Sequence, residues 1–390
     1  TNRMRFGLEV LEAVRQDIGE DYVVGIRMSG DEMLRGGLNQ DDCIAIAEVY
    51  ADSGLIDFIS VVGAQPTDTL SVARIWPTMW VPTAAYLPLA GAIKAVSDVP
   101  VFHATRITDA ATAAYAVSEG LVDMVGMTRA FIADPYHVRK LEAGEERHIR
   151  PCVGVGYCVD RVISGSDALC VHNVATSREQ HLPHVIRSAP GRKHKVVVVG
   201  GGPGGLEAAR VCASRGHQVI LYEATAELGG QIVLAAKATW RTGLIGIVTW
   251  LADQLDFLGV DVRCNQLADR NTVLESGPEC VIVATGGTPS VGRFEGHGLA
   301  NTVWDMLSGH VECAGEILIV DESGGHAALS CAEFAADQGA QVEIVSPDRV
   351  LGTELAQTNL GAHLSELYKL KVRIRPDTRL EKLEREDDGL

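Results

Sequence analysis

The stretch "KVVVVGGGPGGLEAARVCASRGHQVILYEA" (195–224) decides the fold of the second half of the chain. Its run of valines predicts a buried strand, followed by a glycine-rich turn, a helix starting near Leu206 and a second strand. Gly200, Gly202 and Gly205 form the pattern G-x-G-x-x-G. The first glycine permits a tight turn, the second lets the backbone approach a pyrophosphate, and the third lets helix and strand pack closely. We therefore predict a dinucleotide-binding unit, with the phosphates at the helix N-terminus.

An acidic residue and two glycine-containing segments extend this unit. Glu223 ends the next strand, eighteen residues after Gly205, where a carboxylate accepts hydrogen bonds from a ribose 2′-hydroxyl. Downstream lie "ELGGQI" (227–232) and "ATGG" (284–287). The G-x-G-x-x-G pattern alone is weak. A strand, a helix and an acidic residue in register with it favour nucleotide binding over a packing role.

A second β-α-β unit follows in "GEILIVDESGGHAALSCAEFAADQGAQVEIVS" (315–346). Its turn differs from the first because Asp321 and Ser323 stand where the first two glycines would lie. An aspartate there faces a pyrophosphate with a like charge, and the loop offers no compensating cation. We therefore expect a retained packing module and doubt tight NAD(P) binding.

Composition and charge exclude several classes of protein. The chain has 390 residues, 46% of them apolar, and a formal net charge of −17, which disfavours a sequence-independent grip on nucleic acid. No apolar run reaches the length of a membrane span, and the charged N-terminus is not a signal peptide. Nine cysteines without even spacing fit a reducing, cytoplasmic compartment. The chain begins without Met and ends after a strand-like run, so we expect a fragment cut at both ends.

The first part of the chain alternates strand-like and helix-like segments. Its strand-like runs are apolar on both faces, as in a parallel sheet covered by helices. Their spacing favours half of a (β/α)8 barrel over an open sheet, although the pattern alone does not separate the two. The predicted strands are 23–29, 56–62, 99–105 and 122–128, and the predicted helices are 38–54, 87–97 and 109–120.

A basic linker with Pro and Gly, "RSAPGRKH" (187–194), marks a domain boundary. The predicted fold class is α/β, with the C-terminal half of a (β/α)8 TIM barrel, a cysteine-rich segment and Rossmann-like domains. The predicted parts are the half barrel (1–149), the cysteine segment with the linker (150–190), a first dinucleotide-binding domain (191–312) and a second, degenerate and incomplete one (313–390).

The cysteine-rich segment reads "RPCVGVGYCVDRVISGSDALCVHN" (150–173). Cys152, Cys158 and Cys170 lie within nineteen residues here, whereas the other six cysteines are scattered singly. Thiolates are the ligands of iron–sulfur clusters. A structural zinc ion requires four closed ligands, so three cysteines favour a cluster over zinc.

Together, "VVGIRMSGDE", "VFHATRITDAATAAYAVSEGLVDMVGMTRAFIADP" and "RPCVGVGYCVDR" resemble the C-terminal part of the old-yellow-enzyme barrel. The resemblance is to its multidomain branch, which contains trimethylamine dehydrogenase, histamine dehydrogenase and 2,4-dienoyl-CoA reductase, and it runs from residue 2 to the end. "CVGVGYC", "GMTRAFIADP" and "ATGGTPS" look most similar to bacterial demethylases of dimethylglycine and N-methylproline. The resemblance implies FMN in the barrel, a [4Fe-4S] cluster, and FAD or ADP in the second half.

The resemblance also assigns cofactor-binding residues. It places Arg27 beside the pyrimidine edge of the flavin, where a cation stabilises the charge that collects on reduction. It places Arg106 and Arg129, with Thr105 and Thr128, at the FMN phosphate. Without the resemblance, the alternative is surface arginines at loop starts. The residues that correspond to the FAD or ADP site are Gly200, Gly202, Gly205, Glu223, Gly230, Gln231, Thr285 and Gly286.

The family's cysteine motif is incomplete in this chain. Val155 stands where the second cysteine belongs, and valine does not bind iron, so Cys152, Cys158 and Cys170 are three of four ligands. Three alternatives stay open. The segment holds a [4Fe-4S] cluster with a substitute ligand, for which His172 is nearest, or a [3Fe-4S] cluster, or it has lost its cluster and kept its fold.

The loop "DTLSVARIWPTMW" (68–80) bears on the substrate. Ser71 stands where the dienoyl-reductase branch carries a histidine, which weakens a reductase reaction that must protonate carbon. Trp76, Trp80 and Tyr86 are candidates for an aromatic cage around an alkylammonium group. The alternative is that these rings pack the loop against the barrel.

We therefore predict a flavin-dependent oxidoreductase that N-demethylates a small tertiary amine or N-methylated amino acid. Electrons pass from FMN through the cluster to a protein acceptor such as an electron-transfer flavoprotein. The alternatives are an NAD(P)H-dependent enoate or 2,4-dienoyl-CoA-type reductase and a non-catalytic flavoprotein electron-transfer module. We expect a homo-oligomer with neither a nucleic-acid nor a membrane partner, and the resemblance identifies no catalytic acid or base in this chain.

Overall fold

The computed structural model describes residues 2–292 and 294–385. Within them, no helix is both long and apolar enough to cross a bilayer. The chain forms two compact units. The first contains the chain through Gly144, then Ile149–Asn173 and Gln357–Gly361, and the second contains Glu145–His148, Val174–Ala356 and the chain from Ala362 onward. The cysteine segment thus belongs to the first unit.

The first unit is built on a parallel four-stranded sheet. Its strands lie side by side in chain order, as successive β/α repeats of a closed barrel do, whereas a doubly wound sheet reverses its strand order. The strands are β1 (Gly25–Ser29), β2 (Phe58–Val62), β3 (Val101–His103) and β4 (Met124–Val125). The helices are α1 (Asn2–Ile18), α2 (Gln40–Asp52), α3 (Thr69–Ile75), α4 (Leu87–Lys94), α5 (Ala110–Ser118), α6 (Thr128–Ala133), α7 (His137–Glu142) and α8 (Tyr157–Ile163).

Helices cover one face of this sheet. Ile59 and Val61 of β2 are fully buried against the apolar side of α4, around Ile93. Because side chains alternate along a strand, Arg27 and its register partner Ser60 point to the opposite face. The expectation that the strands are apolar on both faces is therefore wrong for this face, where Arg27 is exposed. Arg27 is the middle residue of β1.

The second unit contains two parallel sheets. The first has the order β7-β6-β5-β8 and the second has the order β11-β10-β9. The strands are β5 (Lys195–Val199), β6 (Gln218–Tyr222), β7 (Asp261–Arg263), β8 (Cys280–Val283), β9 (Glu316–Val320), β10 (Gln341–Val345) and β11 (Arg373–Arg375). The helices are α9 (Pro203–Ser214), α10 (Gln231–Ala235), α11 (Ile245–Phe257), α12 (Arg270–Glu275), α13 (Val303–Leu307) and α14 (His326–Asp337), and α15 (Gln357–Lys369) has residues in both units.

The glycine-rich turn after β5 fixes the start of α9. This helix begins at Pro203, three residues before the predicted Leu206, because Gly202 is an extended N-cap and proline suits the first helical position. Gly200 has a φ of +110°, which favours glycine. At Gly205 a Cβ would lie 1.9 Å from the carbonyl oxygen of Gly200, so only glycine permits this approach of helix to turn.

We expect Gly205→Ala to lower the free energy of unfolding of the second unit by about 1–3 kcal/mol, since the methyl group meets backbone that has no room to move. Gly204→Ala is the matched control, because nothing lies within 4 Å of a Cβ at that helical position. Thermal unfolding of both variants tests the turn. Equal melting temperatures would contradict the close approach.

Candidate functional site

The nucleotide residues predicted in the second unit converge at the carboxyl end of β5. Glu223 accepts the N–H of Gly201 at 2.7 Å, and Gly230 approaches Gly202 so closely that a Cβ would lie 3.2 Å from its Cα. The strand-end segment 284–287 lies against the same turn, because a Cβ at Gly200 would lie 3.1 Å from the Thr285 nitrogen. Around this turn lie Gly200, Gly202, Gly205, Glu223, Gly230, Gln231, Thr285 and Gly286.

The second glycine-rich loop is closed by its own aspartate. One carboxylate oxygen of Asp321 accepts the N–H groups of Ser323 and Gly324 at 3.1 and 3.0 Å, and the Ser323 hydroxyl at 3.1 Å. Asp321 is buried. Its carboxylate therefore takes up backbone donors that a bound pyrophosphate would need, which adds a second reason to expect weak NAD(P) binding.

The three cysteines of the cysteine segment line one pocket. Cys152, Cys158 and Cys170 are free thiols, and burial raises the pKa of Cys158 and of Cys170. In residues 2–292 and 294–385, no three His, Cys, Asp or Glu side chains surround one point as the ligands of a single metal ion do. A cluster does not require such convergence, since each thiolate binds a different iron. The pocket is lined by Arg129, Ile132, Pro151, Cys152, Val153, Gly154, Val155, Gly156, Tyr157, Cys158, Cys170, Val171 and His172.

Two guanidinium groups lie at this cysteine pocket. Arg129 lines it and donates to the Pro77 carbonyl at 2.6 Å. The Arg106 side chain packs against Gly154, where a Cβ would lie 2.3 Å from Nη1. Within the described chain, Nε and Nη1 of Arg106 are buried without a hydrogen-bond partner. Burial first, and then the Arg129 charge, lower the pKa of Arg106 to about 10, while the Cys152 thiol opposes this.

Buried donors of this kind require a negative partner. A cluster held by three thiolates is anionic, so the donor set and the unsatisfied Arg106 atoms both fit an iron–sulfur cluster. The expectation that Arg106 binds the FMN phosphate stays a prediction, but the side chain lies against the cysteine segment. Thr105 directly precedes Arg106, Thr128 begins α6, and Arg129 follows it in the same helix.

A buried carboxylate anchors the cysteine segment, and sequence reasoning missed it. Asp160 of α8 accepts the hydroxyl of Thr358 at 2.5 Å and the amide of Asn359 at 2.9 Å. The same Asn359 amide donates to the carbonyl of Val155 at 3.0 Å. The position where the family has its second cysteine is thus held through its backbone. About two hundred residues separate these partners, so no local sequence pattern predicts this contact.

The His172 ring is buried beside the pocket, and its Nδ1 lies 3.1 Å from the Pro151 carbonyl oxygen. This contact fixes the ring in the wall of the pocket. Its role as a substitute ligand stays a prediction.

The predicted aromatic cage is only partly available. Tyr86 is buried, its ring packs against Gly63, and its hydroxyl donates to the Arg74 carbonyl at 3.0 Å. Its assignment to a substrate cage stays a prediction. Trp76 is 39% exposed at the end of α3, and Trp80 is half-buried.

Ser71, where the dienoyl-reductase branch has a histidine, forms hydrogen bonds with its near neighbour Asp68. Its hydroxyl accepts the N–H of Asp68 at 2.8 Å, and its own N–H donates to the Asp68 carboxylate at 2.8 Å. The two residues form a capping box at the start of α3. This position therefore supports a helix end and supplies no proton donor for carbon.

Comparison with known proteins gives two family matches. Residues 1–148 match the NADH:flavin oxidoreductase / NADH oxidase family, and residues 194–390 match the pyridine nucleotide-disulphide oxidoreductase family. The solved 2-naphthoyl-CoA reductase complex is 28% identical with a TM-score of 0.88, over 100% of this chain and 58% of that one. Histamine dehydrogenase from Rhizobium sp. 4-9, at 24% identity and a TM-score of 0.88, shares the fold over 98% and 57% of the chains. The predicted fold class is confirmed.

Three curated relatives are more similar in sequence to this chain than these two solved structures are. The chain is 45% identical to N,N-dimethylglycine/sarcosine dehydrogenase of Chromohalobacter salexigens and 42% identical to a probable N-methylproline demethylase of Rhizobium meliloti, each over 100% of this chain and 57% of the relative. It is 43% identical to a multifunctional alkene reductase/demethylase of Caballeronia cordobensis, over 90% and 51%. The chain thus spans little more than half the length of these relatives.

We expect Asp160→Ala to lower the free energy of unfolding of the first unit by about 1–3 kcal/mol, because it leaves buried donors of Thr358 and Asn359 unsatisfied. Asp167→Ala, in the same segment but exposed, is the matched control and should leave stability unchanged. Urea unfolding measures both. If the two variants unfold at the same urea concentration, Asp160 does not anchor the segment.

Proposed function

Because the chain belongs to the pyridine nucleotide-disulphide oxidoreductase family and its residues 1–148 match the NADH:flavin oxidoreductase / NADH oxidase family, we propose that it is part of an oxidative N-demethylase. Its substrate is a small tertiary amine or an N-methylated amino acid. The names of the relatives at 45% and 42% identity, a dimethylglycine/sarcosine dehydrogenase and a probable N-methylproline demethylase, support this class.

The observation that carries the proposal is the cysteine pocket with its two guanidinium groups. Three half-buried thiols, and Nε and Nη1 of Arg106 without a hydrogen-bond partner among the described residues, provide a cationic, sulfur-lined place for an iron–sulfur cluster in the unit that carries the barrel strands. Bound FMN would supply hydride acceptance, and a bound cluster would supply one-electron transfer onward. Such a pair suits an enzyme that takes two electrons from its substrate and passes them on singly.

The residues of this chain have separate roles in the proposal. Arg27, exposed on the open face of the sheet, offers a positive charge to the reduced flavin ring. Arg129 and the backbone at Thr105 and Thr128 hold the FMN phosphate. Arg106 provides the counter-charge of the cluster.

After the alkylammonium group loses its N–H proton to water, the amine would give a hydride from an N-methyl carbon to bound FMN, which leaves an iminium ion. Water adds to that carbon, and the adduct separates into formaldehyde and the demethylated amine, with release of a proton. The exposed Trp76 and the half-buried Trp80 would each stabilise an alkylammonium group by about 0.5–2 kcal/mol. The N-methyl carbon loses its hydrogen as hydride and not as a proton, so no general base is required at that carbon.

The electrons leave to a protein acceptor such as an electron-transfer flavoprotein. The first nucleotide unit binds FAD or ADP through the turn at Gly200 and the Glu223 carboxylate. The second nucleotide unit (315–346) binds NAD(P) weakly, because the Asp321 carboxylate accepts the backbone N–H groups of its own loop.

We expect the full-length protein, mixed with N-methylated amines and an artificial electron acceptor, to release about one formaldehyde per two electrons transferred. Formaldehyde trapping with mass spectrometry of the amine measures this. The primary amine of the same skeleton is the control and should yield none. Acceptor reduction without formaldehyde from any N-methylated amine would contradict the proposal.

Reduction by NADH distinguishes the proposed demethylase from the alternative, an NAD(P)H-dependent reductase. In the proposal NADH bleaches the flavin slowly or not at all, whereas an enoate reductase depends on rapid bleaching. Fast reduction at micromolar NADH, with turnover of an α,β-unsaturated substrate, would favour the reductase.

A further inference from the structure

The loop 153–156 forms the wall of the cysteine pocket at the position where the family has its second cysteine. Three successive carbonyl oxygens of this loop accept hydrogen bonds from donors that do not line the pocket. The pairs are the carbonyl of Gly154 with the N–H of Met79 at 2.7 Å, that of Val155 with the Asn359 amide at 3.0 Å, and that of Gly156 with the N–H of Val159 at 2.9 Å. These oxygens are therefore turned to other partners and do not serve as iron ligands.

The N–H groups of the same loop are differently placed. Those of residues 153–156 donate to no acceptor in residues 2–292 and 294–385. Gly154 and Gly156 are buried and have φ values of +75° and +85°, whereas φ of Val155 between them is negative. Such alternation turns successive N–H groups toward one side and makes a backbone site for anions. Since orphaned N–H groups in buried backbone are rare, the loop is built to face an acceptor.

Other oxygen and nitrogen groups near the pocket are already engaged. Both carboxylate oxygens of Asp160 accept hydrogen bonds from Thr358 and Asn359. Nδ1 of His172 faces the Pro151 carbonyl oxygen, so this ring would have to bind iron through Nε2. A fourth iron at Val155 would meet methyl groups and the positive ends of N–H dipoles, neither of which stabilises a cation.

The charges of the pocket also favour a core with fewer irons. Burial, and then the charges of Cys152 and Cys170, raise the pKa of Cys158, which places the three thiols close together. Arg106 and Arg129 lie at the same pocket. By electron counting, an oxidised [3Fe-4S] core on three thiolates has the same net charge as an oxidised [4Fe-4S] core on four. A four-iron core on three thiolates is less negative, so it would neutralise the two guanidinium groups less well.

We propose that this pocket binds a [3Fe-4S] cluster, with one iron on each of Cys152, Cys158 and Cys170 and with the N–H groups of loop 153–156 in place of a fourth ligand. The inference deepens the proposed function and rests on it for the presence of a cluster. A three-iron core is a four-iron cube that lacks one corner, so the sulfides at that corner bind fewer irons and keep more negative charge. Backbone donors and guanidinium groups suit such sulfides, because hydrogen bonds to sulfur stabilise an anionic cluster.

The wild-type full-length protein, purified anaerobically, should contain about three irons and about four acid-labile sulfides per chain. After mild oxidation by a redox dye, three ferric ions hold an odd number of electrons and should give an electron paramagnetic resonance signal. An oxidised four-iron core holds an even number and gives none. Incubation with ferrous iron and a thiol reductant, followed by the same oxidation, should add no iron and leave the signal. Uptake of a fourth iron with loss of the signal would overturn the proposal.

Val155→Cys provides the thiolate that the loop lacks. In this variant the same incubation should add one iron per chain and abolish the signal. Val153→Cys is the matched control, because Val153 lines the same pocket two residues away. It should keep three irons and the signal. If the two variants behave alike, position 155 is not where the fourth ligand is missing, and the proposal is wrong.

Two further measurements separate this proposal from the proposed function. A wild type with four irons that loses one in His172→Ala would identify the histidine as a ligand and overturn the three-iron cluster. Formaldehyde release from an N-methylated amine tests demethylation independently of the iron count. Protein that releases formaldehyde but holds no iron would overturn the cluster and leave the demethylase. Protein with the three-iron cluster that releases no formaldehyde would overturn the demethylase and leave the cluster.

Discussion

A buried guanidinium needs a counter-charge, and the cysteine pocket is organised around one such group. Nε and Nη1 of Arg106 are buried without a hydrogen-bond partner in residues 2–292 and 294–385, and Gly154 leaves the space that the side chain fills. Arg129 adds a second positive charge at the same pocket. Two cations this close together and largely buried are costly without a counter-charge. The proposed cluster would therefore be a structural partner as well as a redox group.

Much of the fold follows from local pattern. The alternation of apolar runs located β1, β2 and β3, and the G-x-G-x-x-G spacing located β5, α9 and β6, because each depends on residues near one another in sequence. The shift of the start of α9 from Leu206 to Pro203 has an equally local cause, since Gly202 and proline cap the helix. The side chains of Arg27 and Ser60 were harder to place, because which face of a sheet is covered depends on what packs against it.

The site was predictable where chemistry lies in a motif and not where it depends on distant partners. The three cysteines and the glycine turns were visible in the sequence. No sequence pattern indicates that the Tyr86 hydroxyl reaches the Arg74 carbonyl or that its ring packs over Gly63, because both contacts depend on the folded loop. The anchor of Asp160 on Asn359 and the contact of Glu333 with His363 join residues on separate helices, and no spacing rule predicts either.

The account depends most on a cluster held by Cys152, Cys158 and Cys170 without a fourth cysteine. Iron and acid-labile sulfide, counted per chain in anaerobically purified full-length protein together with Mössbauer spectroscopy, test this most directly. The account predicts about three to four irons per chain in a sulfur-ligated cluster. Protein that retains FMN but contains no iron under these conditions would contradict it and would leave the Arg106 guanidinium without the proposed counter-charge.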